Sequence, residues 1–318
     1  MKHLLSLVFV SVSALSFSQD VAYPYPVSYF NVQIEGQNVK MAFMDVKPST
    51  PNGETVILFH GKNFNGFYWK DVIPFLTQAG YRVVVPDQVG WGKSSMPNIH
   101  YSFFMLASNN AKLLDSLGIN KVIVVGHSMG GMLATRFSLM FPKKVQKLVL
   151  EDPIGLEDYS AFVPYKSIDE LYKGERKQTY ESMKKYQQSY YPVWKGEYEP
   201  YVQAQAVQLK SPNYSRIAFV NALTYEMIYE QPVVHSFDSL RVPTLLIIGQ
   251  ADRTVVGKSY LSDEQKKVYG NYPVLGKKTA GRINGSKLVE LPGVGHIPHI
   301  QELNIYKEHL LSFLKGEK

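Results

Sequence analysis

The sequence predicts an α/β fold: a mostly parallel sheet entered through an N-terminal β-hairpin and interrupted by a helical cap subdomain. Three observations predict it. Short apolar runs rich in β-branched residues recur with segments of helical length and period between them, the pattern of parallel strands buried on both faces. Two alternating apolar and polar segments precede these runs, on either side of Glu35-Gly36-Gln37-Asn38. From about Leu156 to Leu240 the strand runs stop, and Tyr, Lys, Glu and Gln dominate instead.

The first eighteen residues read apart from the rest. Met1-Lys2-His3 is a short basic start, and Leu4 to Phe17 is an apolar stretch too short to span a bilayer comfortably. Residues 1–18 therefore read as a signal peptide, with Ser16 and Ser18 as the small residues that place cleavage before Gln19. An uncleaved anchor shares this hydropathy and stays open as the alternative. With no Cys near the site, a lipoprotein is excluded. In a Gram-negative host the product is expected to be periplasmic or secreted, with no stable membrane span after cleavage.

The hairpin is expected from Val27–Ile34 and Val39–Val46. The buried runs that follow are Thr55–Phe59, Tyr81–Val85, Val122–Val125 and Val145–Leu150, and the pattern resumes at Pro243–Ile248 and Lys287–Leu291 before a closing helix from Glu302 to Leu314. This divides the mature chain into a core of residues 19–155 and 241–318 and a helical cap insertion, residues 156–240. The cap carries an excess of Tyr, whose large apolar face and polar tip suit a cover that is partly wet and partly buried. Residues 258–287 are longer than a minimal connection, and Tyr269–Gly276 within them suggests no role.

At 318 residues the chain is long enough for one large core carrying one insertion. Hydrophobic residues make up 45% and charged residues 19%, which excludes a disordered or fibrous chain. The net charge of +7 is spread among acidic residues and not gathered in blocks, so nucleic acid is not expected as a partner. Absence of Cys removes disulfides, thiolate metal sites and a Cys nucleophile.

Gly126-His127-Ser128-Met129-Gly130 follows the Val122 run directly and opens a helical segment from Met129 to Phe141. G-x-S-x-G at a strand-to-helix turn presents the Ser hydroxyl at the sheet edge, beside a helix N-terminus that favours developing negative charge. A hydroxyl is a poor nucleophile without a base, and the order Ser, acid, His continues with Asp252, beyond the Pro243 run, and His296, beyond the Lys287 run. Such loops lie at the carboxyl ends of the strands, where α/β sheets place their chemistry. Asp152, after the Val145 run, is the alternative acid. His299 is expected on the surface or behind the site, while His60 and His127 are expected to position backbone. The oxyanion requires two backbone N–H groups: one from Met129, the other from His60-Gly61-Lys62-Asn63-Phe64, with Lys62 first and Asn63 behind it.

Residues from about Val27 to Leu314 resemble the α/β-hydrolase superfamily, in the branch that includes epoxide hydrolases, carbon–carbon bond hydrolases, carboxylesterases and lactonases. Asp87-Gln88-Val89-Gly90-Trp91-Gly92-Lys93-Ser94 is similar to that branch's D-x-x-G-x-G-x-S loop. The sequence departs from epoxide hydrolases and haloalkane dehalogenases, which carry Asp where this chain has Ser128, and from prolyl iminopeptidases, which resemble G-x-S-W-G where this chain has Met129. The resemblance implies a serine hydrolase acting on a small-molecule substrate with neither cofactor nor metal. A carboxylic ester or lactone leads, a diketone-like substrate cleaved at a carbon–carbon bond comes second, and a non-catalytic ligand-binding protein on the same scaffold is the rival of a different class. Oligomeric state is not legible.

Overall fold

The computed structural model describes residues 22–317, so the leader and its cleavage site lie outside the described residues. One eight-stranded sheet runs in the order β1-β2-β4-β3-β5-β6-β7-β8. The hairpin of β1 (Val27–Ile34) and β2 (Gln37–Val46) joins through β2, antiparallel, to β4 (Arg82–Pro86). All later pairings, through β3 (Thr55–Phe59), β5 (Val122–His127), β6 (Val145–Glu151), β7 (Thr244–Gly249) and β8 (Lys287–Leu291), are parallel. The hairpin turn is shorter than expected. Gln37 and Asn38 pair with Ile34 and Gln33, and only Glu35 and Gly36 reverse the chain, both at positive φ. Two residues of that kind match the twist of the flanking strands.

Every residue of β3, β5 and β7 is buried, because helices cover both faces. Strand alternation divides the core. Val122 and Val124 pack with α2 (Phe103–Ser116) and α3 (Met129–Met140), whereas Ile123 and Val125 face α1 (Val72–Gln78) and the C-terminal helix.

Between β6 and β7 the chain forms the helical cap: α4 (Ile168–Glu175), α5 (Tyr180–Gln188), α6 (Glu199–Ala206) and α7 (Tyr214–Glu230). Ser167 and Thr179 start α4 and α5 with reciprocal capping boxes, which stop short helices of modest apolar content from fraying. Most cap tyrosines serve packing; Tyr191 and Tyr198, for example, stack at 4.1 Å. Residues 258–287 form α8 (Asp263–Val268) and α9 (Tyr272–Arg282). The stretch without an expected role is a brace: Tyr269 stacks on Phe162 at the cap entrance, Gly270 N–H donates to Glu157, and the Tyr272 hydroxyl donates to Pro153 O. The chain closes with α10 (Pro298–Gln301) and α11 (Leu303–Lys315). No helix among the described residues is long and apolar enough to cross a membrane.

Candidate active site

The turn from β5 into α3 holds Ser128 at φ 55°, ψ −121°, a strained conformation for a residue with a side chain. It persists because the surroundings fix it. Ser128 N–H donates to Glu151 O at 3.1 Å, and Ser128 O accepts from Gly131 N–H at 2.8 Å and Ile154 N–H at 3.2 Å. The glycines are required by closeness: a Cβ on Gly126 would lie 2.2 Å from Gly130 O, and one on Gly130 would lie 2.1 Å from Phe59 O. Gly130→Ala is accordingly expected to cost about 3 kcal/mol of stability, at the upper end of overpacking effects, through displacement of β3 from α3. Its urea-unfolding midpoint checks this, and an unchanged midpoint would contradict the packing described.

The structure brings Ser128, His296 and Asp252 together. His296 Nε2 lies 3.0 Å from Ser128 Oγ, and His296 Nδ1 lies 2.6 Å from Asp252 Oδ2. Asp252 Oδ1 accepts from Thr254 N–H at 2.8 Å, so the carboxylate is fixed on both oxygens. All three residues are buried. With the Nδ1 proton held by Asp252, Nε2 is left to accept the Ser128 proton.

Asp152 is 0% exposed and does not bond His296. Both its carboxyl oxygens accept from Gly249 N–H, at 2.9 and 3.1 Å. Burial first, and then the nearby Asp252 carboxylate to which it hydrogen-bonds, push the Asp152 carboxyl well above the usual range. Burial opposes the charged form of Asp152 and its oxygens face Gly249 N–H, so geometry sets it apart from Asp252, which bonds His296.

The loop after β3 lies against Ser128; a Cβ on Gly61 would sit 3.1 Å from Ser128 Cβ. Gly61 N–H is committed to the Tyr68 hydroxyl at 2.9 Å and Phe64 N–H to Gly61 O, whereas Lys62 N–H and Asn63 N–H have no acceptor among the described residues. Trp91 Nε1–H donates to Lys62 O at 2.6 Å and fixes that peptide. Met129 opens α3, where the first amides lack intrahelical acceptors. Beneath lies a link that the sequence did not reveal. The Tyr68 hydroxyl, accepting from Gly61 N–H, reaches His127 Nδ1 at 2.9 Å, and His127 Nε2 reaches His296 O at 2.7 Å. Burial, with His296 and His299 nearby, lowers the His127 pKa far below the usual value, so the ring stays neutral: Nε2–H donates to His296 O and Nδ1 accepts from Tyr68. The loop after β3 and the loop that carries His296 are thus tied through one Tyr and one His. His60 also binds backbone, its Nε2 accepting from Gln88 N–H.

Of the two places expected for His299, on the surface or behind the site, the structure gives the second: it is 1% exposed, its ring lies 5.5 Å from that of His127, it donates Nδ1–H and N–H to Glu151 Oε1, and it stacks on Trp69 at 4.4 Å. Tyr68 and Trp69, both buried, flank the ring: Trp69 stacks on it and Tyr68 meets it edge-on at 4.8 Å. Tyr190, just beyond α5, also escaped notice among so many tyrosines. Its carbonyl accepts from His296 N–H at 2.8 Å, its hydroxyl from Asn63 Nδ2–H at 2.9 Å, and its ring lies 4.9 Å from the His296 ring. Asp87 of the glycine-rich loop accepts from Gly66 N–H, Lys93 N–H and the Tyr23 hydroxyl, holding that rim in place.

Above Ser128 opens a cavity of about 680 Å³, walled by Trp91 and Met96 from the core and by Met183, Tyr186, Tyr190 and Tyr225 from the cap. The size suits a small or medium ligand.

Residues 54–303 match the family model for the alpha/beta hydrolase fold. The chain belongs to the α/β-hydrolase superfamily. Within it, the chain is 31% identical over 236 residues to a 2-hydroxy-6-oxononadienedioate/2-hydroxy-6-oxononatrienedioate hydrolase of Burkholderia vietnamiensis, covering 71% of this chain and 80% of that one. A crystal structure of a probable hydrolytic enzyme from Pseudomonas aeruginosa PAO1 superposes with a TM-score of 0.90 at 45% identity, covering 92% of this chain and 95% of that one. The enol-lactonase of Burkholderia xenovorans LB400 shares the α/β-hydrolase fold at a TM-score of 0.68 and 17% identity, covering 90% of this chain and all of its own. Fold and relatives together make this α/β-hydrolase a hydrolytic enzyme.

Proposed function

We propose that the protein is an exported serine hydrolase that cleaves a small or medium carboxylic ester or lactone through an acyl-enzyme on Ser128. The unbroken chain from Ser128 Oγ to His296 to Asp252, buried beneath a cavity that the cap helices partly roof, carries this reading. Ser128 Oγ attacks the carbonyl carbon as its proton passes to His296 Nε2. The oxyanion is held by the N–H groups of Met129 and Lys62. Collapse breaks the bond to the leaving oxygen, which takes the proton from His296. Water, losing a proton to the same nitrogen, then attacks the acyl carbon and frees Ser128.

Tyr186, Tyr190 and Tyr225 line the cavity together with Trp91, and aromatic walls of this kind support a compact or aromatic acyl part. Across p-nitrophenyl esters of rising acyl length, with a benzoate-type ester included, kcat/KM is expected to peak at short chains or the aromatic acid. A maximum at long chains overturns the substrate reading. The second reading, cleavage of a carbon–carbon bond in a diketone-like substrate, is favoured by the similarity to the Burkholderia vietnamiensis hydrolase. Release of a coloured dienoate with no ester turnover selects it. Export rests on the Met1–Ser18 pattern and is tested by N-terminal sequencing of the extracytoplasmic protein, with Gln19 as the expected first residue.

A further inference from the structure

The Lys62 side chain lines the cavity, yet Nζ has no hydrogen bond or salt bridge among the described residues. Other cavity lysines are occupied. Lys258 Nζ donates to Arg253 O, Lys266 pairs with Asp263, and Lys93 lies over the Tyr23 ring. Of the charged residues that line the space, four are Lys and one is Glu175. Glu175 reaches the cavity from the end of α4, accepts from Asn221 Nδ2–H, and lies beyond ion-pair distance of Lys62 while still acting on its charge. Protein atoms surround the ammonium closely enough for burial to lower its pKa, an effect that Glu175 only partly offsets. Lys62 is half-buried, and a partly desolvated ammonium without a partner, on a residue that lines the cavity, gains from an anionic ligand there.

We infer that Lys62 Nζ binds a carboxylate carried by the substrate, so that the enzyme selects monoesters or lactones bearing a free acid group. The inference rests on the acyl-enzyme reading for the place of the reacting carbonyl. Lys62 offers its peptide N–H to the oxyanion and its ammonium to the cavity. One residue can therefore measure the separation between carbonyl and carboxylate. A single ammonium opposed by Glu175 matches one negative charge. A phosphate dianion calls instead for the several charged donors or the planar fork that arginine supplies.

Binding to Ser128→Ala, measured by calorimetry, tests the subsite without turnover. The probes are the monomethyl esters of malonic, succinic and glutaric acids, with methyl levulinate as the neutral counterpart. At least one monoester is expected to bind about tenfold or more tighter than methyl levulinate, the scale of a hydrogen bond to a charged group. Adding Lys62→Met should abolish that preference, Lys62→Arg should keep part of it, and Glu175→Gln should enlarge it. Equal affinity for charged and neutral esters, or a preference that survives Lys62→Met, overturns the subsite. Ester turnover by the wild type is scored separately: its absence alongside an intact, Lys62-dependent preference overturns the ester reading and leaves the carboxylate subsite standing.

Discussion

Ser128→Ala is expected to lower kcat by about a thousandfold or more, the scale seen when the nucleophile of such a triad is removed. The substitution takes away only the attacking oxygen. The strained turn is held by backbone bonds from Ser128 N–H to Glu151 and from Gly131 and Ile154 to Ser128 O, and these do not involve the hydroxyl. Fold, thermal midpoint and binding of a competitive product acid should therefore stay near wild type. Activity on the best ester, read with the circular dichroism spectrum, checks both halves. Near-normal turnover in the variant ends the serine mechanism, and covalent labelling of the wild type at Ser128 by an active-site phosphonate should vanish in the variant.

Asp252→Asn is expected to slow turnover by roughly a thousandfold to ten-thousandfold, because the amide can donate to His296 Nδ1 and so leave the ring in the tautomer whose Nε2 carries a proton. The 2.6 Å bond to Nδ1 makes the imidazole sensitive to this change. Asp152→Asn should cost no more than about tenfold, since Asp152 does not bond His296 and the replacing amide has nearly the same shape and an oxygen that can still accept from Gly249 N–H. Steady-state kinetics of both variants decide the matter. If Asp152→Asn proves the more damaging, the acid function belongs to the end of β6.

Much of this arrangement was legible in the sequence, for a definite reason. β3, β5 and β7 are covered by helices on both faces, so their apolar residues run without interruption, and the chemistry follows at their carboxyl ends in Gly126–Gly130 and Gly249–Asp252. What stayed hidden depends on contacts between distant segments. Nothing local separates Tyr190, which anchors His296, from Tyr191 beside it, which packs on Tyr198. The sequence could not choose between the surface and the rear of the site for His299, because its partner Glu151 lies 148 positions earlier and its stacking face, Trp69, comes from a third part of the chain. The role of Tyr68 likewise appears only once His127 and Gly61 are brought beside it.

The bond from His296 N–H to the Tyr190 carbonyl bears on how far this scaffold can be treated as modular. Replacing the cap with that of another hydrolase is usually imagined as an exchange of specificity over an untouched catalytic base. Here the His296 peptide is held by the cap itself, and a Cβ on Gly295 would meet Tyr190 O at 2.1 Å, so the two segments approach too closely for an arbitrary replacement. A transplanted cap has to arrive with a backbone carbonyl at that place, or the chimera trades its new pocket for a misaligned imidazole. Recombination between relatives should accordingly succeed when the segment around Tyr190 and the loop from Gly293 to Pro298 are inherited together, and fail when they are drawn from different parents.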